Sequence, residues 1–101
     1  QKLVRDKIPE IIKESGQEPV TRILDDEEYL AELIKKLREE TDELEADNSV
    51  EELADIQEVV LALGAALKIS PEELEKVRAK KAEERGAFQH KIYLEGVENE
   101  K

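Results

Sequence analysis

The chain contains no cysteine, no methionine and no tryptophan, and only one histidine, two tyrosines and one phenylalanine. Each absence removes a class of chemistry. Without thiols there is no disulfide and no thiolate metal centre. One histidine, His90, cannot build a zinc site alone. Four scattered glycines offer no glycine-rich phosphate loop. No apolar run approaches the ~20 residues of a membrane span. The stretch from Lys2 to Ile12 mixes charges too closely for the apolar core of a signal peptide, so the expectation is a cytoplasmic protein without membrane partners.

What is present is charge. Of 101 residues, 43% are charged, with 27 acids against 16 bases and a formal net charge of −11. Such a balance disfavours a sequence-independent nucleic-acid binder, which needs a basic face. An anionic substrate would have to arrive with cations or meet a local basic cluster. The 39% hydrophobic content falls at helical spacing, which argues for a folded, all-α chain of one domain and one modest core.

Read along the chain, Pro9 suits a helix first turn, with Ile8, Ile11 and Ile12 as a brief apolar face and Gly16 as its stop. Gln17 to Leu24 reads as extended or looped. Asp25 or Asp26 caps a second helix that carries Tyr29, Leu30, Leu33, Ile34, Leu37 and Leu44 at helical spacing to about Ala46. Asp47-Asn48 makes a turn, and Ser49 caps a third helix with Glu52 at its N3 position. From Leu53 to Leu67 this helix is apolar nearly all round, which predicts the buried centre of a bundle. Ser70-Pro71 starts a fourth helix, with Glu73 completing a second capping box and Gly86 as the stop after Arg85. The tail from Phe88 to Val97 holds a β-prone run, Ile92-Tyr93-Leu94, read as an extended packing arm.

Two carboxylate pairs stand out. Glu40/Glu43 and, nine residues on, Glu52/Asp55 each have i, i+3 spacing, so the members of a pair share a helix face. At roughly 100° per residue, Glu40 projects between Tyr29 and Leu33, and Glu43 lies just beyond. Glu52 and Asp55 project beside Val59 and Leu63, again on the apolar side. In a chain with 27 acids some such spacings arise by chance, and Glu52 already has a capping role. An unpaired inward carboxylate is nevertheless costly, so something cationic should stand opposite. Two antiparallel helices bearing these pairs could aim four oxygens at hard divalent cations.

The fourth helix adds a complementary pattern. Leu74, Val77, Lys81, Arg85 and Phe88 share one face, so an apolar stripe turns cationic halfway along. Lys81 and Arg85 could snorkel or pair with acids, or they could clamp a phosphate beside a metal, Arg85 being suited to bidentate contacts. Dications with such a clamp suggest phosphoanhydride hydrolysis.

Glu39-Glu40-x-x-Glu43, a short gap, then Glu52-Leu53-Ala54-Asp55 resembles the EExxE…ExxD signature of the MazG-like all-α nucleotide pyrophosphohydrolases, a superfamily that includes phosphoribosyl-ATP pyrophosphohydrolase. The opening Lys2 to Pro9 and the closing Lys80-Lys81 to Arg85-Gly86-Ala87-Phe88 resemble a small single-domain branch of it. The resemblance implies a helical bundle assembled as a homodimer or homotetramer. It implies Mg²⁺-dependent hydrolysis, with Mn²⁺ as a possible substitute, of a nucleoside triphosphate to monophosphate and pyrophosphate. It assigns Glu40, Glu43, Glu52 and Asp55 to the metal, Glu39 to an acid standing behind the ligands or a base that orients water, and Lys81 and Arg85 to phosphates. Arg5 and Lys7 recur in this branch without an assigned contact; pairing with helix carboxylates is equally open to them.

Only Tyr29, Phe88 and Tyr93 could stack on a base, and packing suits Tyr29 better. The substrate is therefore read as a modified or aberrant nucleotide in a house-cleaning role, with phosphoribosyl-ATP as the alternative. A non-catalytic acidic helical module and a degenerate nucleotide sensor are the competing classes. Short helices with few aromatics bury little area per protomer, which predicts self-association through the second and third helices.

Overall fold

The structure, a computed structural model, describes residues 1–99. It contains four helices, α1 (Ile8–Glu14), α2 (Asp26–Ala46), α3 (Val50–Ala66) and α4 (Pro71–Arg85), and no strand among the described residues. The class is all-α. Two compact units divide the chain, one over Gln1–Ser70 and one beginning at Pro71.

In the first unit, helix ends follow local chemistry. Pro9 sits in the first turn of α1, where its missing N–H is not needed. The helix closes through the Ser15 and Gly16 N–H groups, and Gly16 adopts φ +93°, a left-handed conformation that glycine enters without strain. Asp25 caps α2: its Oδ1 accepts the Glu28 N–H at 2.8 Å, and Glu28 reaches back to the Asp25 N–H. The Arg22 guanidinium grips both Glu28 oxygens at 3.2 and 3.1 Å and holds that carboxyl below its ordinary pKa. Of the two caps that the sequence left open, Asp25 and Asp26, the structure uses Asp25, with Glu28 completing a capping box.

Asp47 ends α2, Asn48 Nδ2 donates to the Leu44 carbonyl, and Ser49 Oγ accepts the Glu52 N–H at 3.3 Å to begin α3. So short a link folds α3 back along α2, and this hairpin is the helix-on-helix packing of the unit. Leu33 and Val59 are its buried apolar residues, 3% and 8% exposed. Gly64, also buried, lets the chain recross the end of α3: the Ile69 N–H donates to the Gly64 carbonyl at 2.7 Å. A Cβ at Gly64 would stand 3.1 Å from the Ile69 carbonyl oxygen.

Two expectations are corrected here. The third helix is not a buried centre: Leu53 is 56% exposed and Leu61 38%. Within the unit, α2 is the helix that packs on α3, and a single neighbour covers one face of an all-round apolar helix. Nor does the tail form a packed arm. After Gly86 no regular element follows among the described residues, and Phe88, Ile92, Tyr93 and Leu94 are exposed.

Candidate metal centre

Glu40 lies on the α3-facing side of α2 and is 6% exposed, the one buried charged residue described. Glu52, in the first turn of α3, and Asp55, one turn on, are half-buried. One oxygen from each of Glu40, Glu52 and Asp55 lies within 4.8 Å of the others. A second trio, Glu39, Glu40 and Glu43, meets the same criterion on α2 itself. Glu40 belongs to both, so the five acids singled out in the sequence form two groups with a common member. The inward expectation holds for Glu40 and partly for Glu52 and Asp55. It fails for Glu43, which is exposed: it projects beyond the margin of the apolar stripe that Glu40 still occupies.

Burial and partners separate these acids from an ordinary solvated face. Glu40 Oε2 and Glu52 Oε2 are both buried and accept no hydrogen bond. A buried acceptor left without a partner costs ~1–3 kcal/mol. The other oxygens are partly served. Lys36 Nζ stands 3.5 Å from Glu40 Oε1 and 3.4 Å from Glu39 Oε1. Arg5 Nη2 donates to Asp55 Oδ1 at 2.7 Å. The Glu52 carboxyl is pushed above its ordinary pKa, first by burial and then by the negative charges of Glu43, Asp55, Glu40 and Asp47. Carboxylate oxygens, with no nitrogen or sulfur among them, are the donor set of a hard cation such as Mg²⁺ or Mn²⁺, and the two unserved oxygens are what such an ion would satisfy.

A cleft of about 140 Å³ opens beside the acids, lined by Arg5, Tyr29, Leu33, Lys36, Glu40 and Asp55 among others. Tyr29, read in the sequence as a packing residue, thus also contributes to the cleft wall. Two cleft residues were not assigned from sequence. Lys36 carried a readable signal, its i, i+4 spacing to Glu40. Arg5 was marked by the resemblance, with pairing to a helix carboxylate left open, and the structure supplies that partner in Asp55, 50 residues away.

Lys81 and Arg85 stand in the second unit, both exposed on α4 and one turn apart. The face that was expected to continue through Phe88 stops at Arg85, where the helix ends ahead of Gly86 at φ +88°.

No family model matches the chain, and no solved structure matches it. An uncharacterized protein of Mycolicibacterium smegmatis is 59% identical over 44 residues, 44% of this chain and 45% of that protein. The chain thus spans less than half the length of this relative.

Proposed function

We infer that the protein is a divalent-cation-dependent nucleoside triphosphate pyrophosphohydrolase, acting on a modified or aberrant nucleotide. The observation that carries the reading is the pair of buried, unpartnered oxygens on Glu40 and Glu52, whose carboxylates, with that of Asp55, each bring an oxygen within 4.8 Å of the others across the α2–α3 hairpin. Buried carboxylate oxygens that no side-chain donor reaches are stabilised by a hard cation from solution.

In this reading Glu40, Glu52 and Asp55 hold Mg²⁺, and Glu43 joins from the exposed end of the group. When bound, the ion neutralises phosphate charge and makes a coordinated water more acidic. Glu39, exposed and next to Glu40, suits the orientation of the attacking water by accepting its hydrogen bond. Lys36 and Arg5 pin Glu40 and Asp55 through one oxygen each. The sequence resemblance assigns Lys81 and Arg85 to phosphates, a role that suits the planar fork of Arg85. The sequence resemblance to the MazG-like superfamily supports the assignment and supplies the direction of cleavage, between the α- and β-phosphates.

Self-association belongs to the same reading. The open apolar side chains of α3, Leu53 and Leu61, together with Ile34 of α2, remain to be covered, and a second copy offers the matching surface.

The test is release of pyrophosphate from a panel of ordinary and modified nucleoside triphosphates with and without Mg²⁺. Metal-dependent release from at least one, lost in Glu40→Gln, is the expected result. Release that survives chelation, or survives Glu40→Gln and Asp55→Asn unchanged, overturns the assignment.

A further inference from the structure

We propose that Arg5, through donors its partner leaves free, is a phosphate-binding residue of the cleft beside the acids. The proposal rests on the metal reading above and adds a substrate contact to it. Arg5 spends one N–H on Asp55 Oδ1, at 2.7 Å. A guanidinium has five donors in a fixed plane, so four remain. The side chain is 56% exposed and lines the cleft together with Lys36 and Tyr29. Asp55 therefore fixes the orientation of the fork without saturating it, which is the arrangement that presents a planar donor set to an oxyanion.

The segment that carries Arg5 is held in place. Leu3 and Val4 are half-buried and line the same cleft, and the Arg5 carbonyl accepts the Ile8 N–H at 3.1 Å, tying Arg5 to the start of α1. The guanidinium is thus presented from a seated piece of backbone rather than a loose arm. Lys36 stands on the same cleft with its ammonium on Glu39 and Glu40. The cleft thus brings the cations Arg5 and Lys36 beside the acids Glu40 and Asp55, with Asp6 and Glu58 also on its wall. A metal-bound polyphosphate carries both signs, its cation suited to the acids and its oxygens to Arg5.

The test separates metal from phosphate. Calorimetry with Mn²⁺ alone, and then with inorganic pyrophosphate at saturating Mn²⁺, is run on the wild type, Arg5→Gln and Arg5→Lys. Expected is Mn²⁺ affinity in Arg5→Gln within roughly threefold of wild type, and pyrophosphate affinity weakened by about tenfold or more, as for loss of a charge-assisted hydrogen bond. Arg5→Lys keeps the charge beside Asp55 but loses the fork, and falls between the two. Wild-type pyrophosphate affinity in Arg5→Gln overturns the proposal. So does an equal loss of Mn²⁺ and pyrophosphate, which would make Arg5 a support for Asp55 and nothing more. If Arg5→Gln does not fold, Arg5→Lys decides alone, and wild-type pyrophosphate affinity there overturns it. Failure of the wild type to bind Mn²⁺ removes the metal reading, and this inference with it, and is told apart by the first titration.

Discussion

Glu40 of α2 and Glu52 of α3 each bury one carboxylate oxygen, Oε2, that no hydrogen-bond donor reaches. They come from opposite arms of a hairpin whose turn is only three residues long. Like charges brought together in this way lower the stability of the metal-free fold, and a bound cation reverses the sign of their contribution.

Metal should therefore act as a stabiliser. Mg²⁺ or Mn²⁺ at a hundredfold excess over its Kd raises the unfolding free energy by about 2.7 kcal/mol if it binds only the folded state. Thermal melts with and without the ion read this as a rise of several degrees. In Glu40→Gln the rise should vanish, while the metal-free protein melts higher than wild type because one member of the repelling group is neutral. A metal-free melt of Glu40→Gln below wild type would show that the Lys36 contact outweighs the repulsion.

The pH dependence follows from Glu52. Its folded pKa lies above the ordinary 4.5, so the folded state binds this proton more tightly than the unfolded chain does. Its contribution to stability is fully present below the unfolded pKa and is lost as pH rises through the elevated folded value. Comparison of urea midpoints for wild type and Glu52→Gln isolates the effect without metal. The variant should gain on wild type as pH rises from about 4.5 toward 7. The Ser49 cap survives the change, because it is the Glu52 backbone N–H that donates to Ser49. A difference that stays flat across this range contradicts the prediction.

The helix start at Asp25 is testable by itself. Asp25→Ala removes the acceptor of the Glu28 N–H and should cost about 1 kcal/mol, the usual worth of such a cap. Asp25→Asn, which keeps an acceptor oxygen, should recover most of it. Urea unfolding followed by circular dichroism measures both.

Packing is concentrated at Leu33, so Leu33→Ala should cost about 2–5 kcal/mol. The same truncation at Leu61, 38% exposed in one chain, should cost a monomer much less. If two copies cover α3, however, Leu61→Glu shifts the molecule to monomer in sedimentation at micromolar concentration. A wild type that is already monomeric there rules out the proposed association.

Much of this molecule was readable from residue order. The ends of α2, α3 and α4 follow from Asp25, Ser49, Pro71 and Gly86, because capping and proline geometry act within one turn of chain. Glu40 was placed inward by periodicity alone. Glu43 was not correctly placed, since a projection angle at the margin of a stripe cannot say where the neighbouring helix ends. The apolar circumference of α3 predicted burial on all sides, yet Leu53 and Leu61 stand exposed in one chain. Composition says that a face wants cover; it does not say which surface supplies it.

The sequence by itself determined the helices, their turns and the acids at i, i+3 spacing, since each depends on neighbours within a few residues. Only the tertiary structure decided that Glu40 meets Glu52 and Asp55, that two of their oxygens are left unserved, and that Arg5 answers Asp55 from 50 residues away. Those relations exist because the hairpin closes and the N-terminal segment seats against it. No local propensity encodes the distance between groups that meet only when the chain has folded.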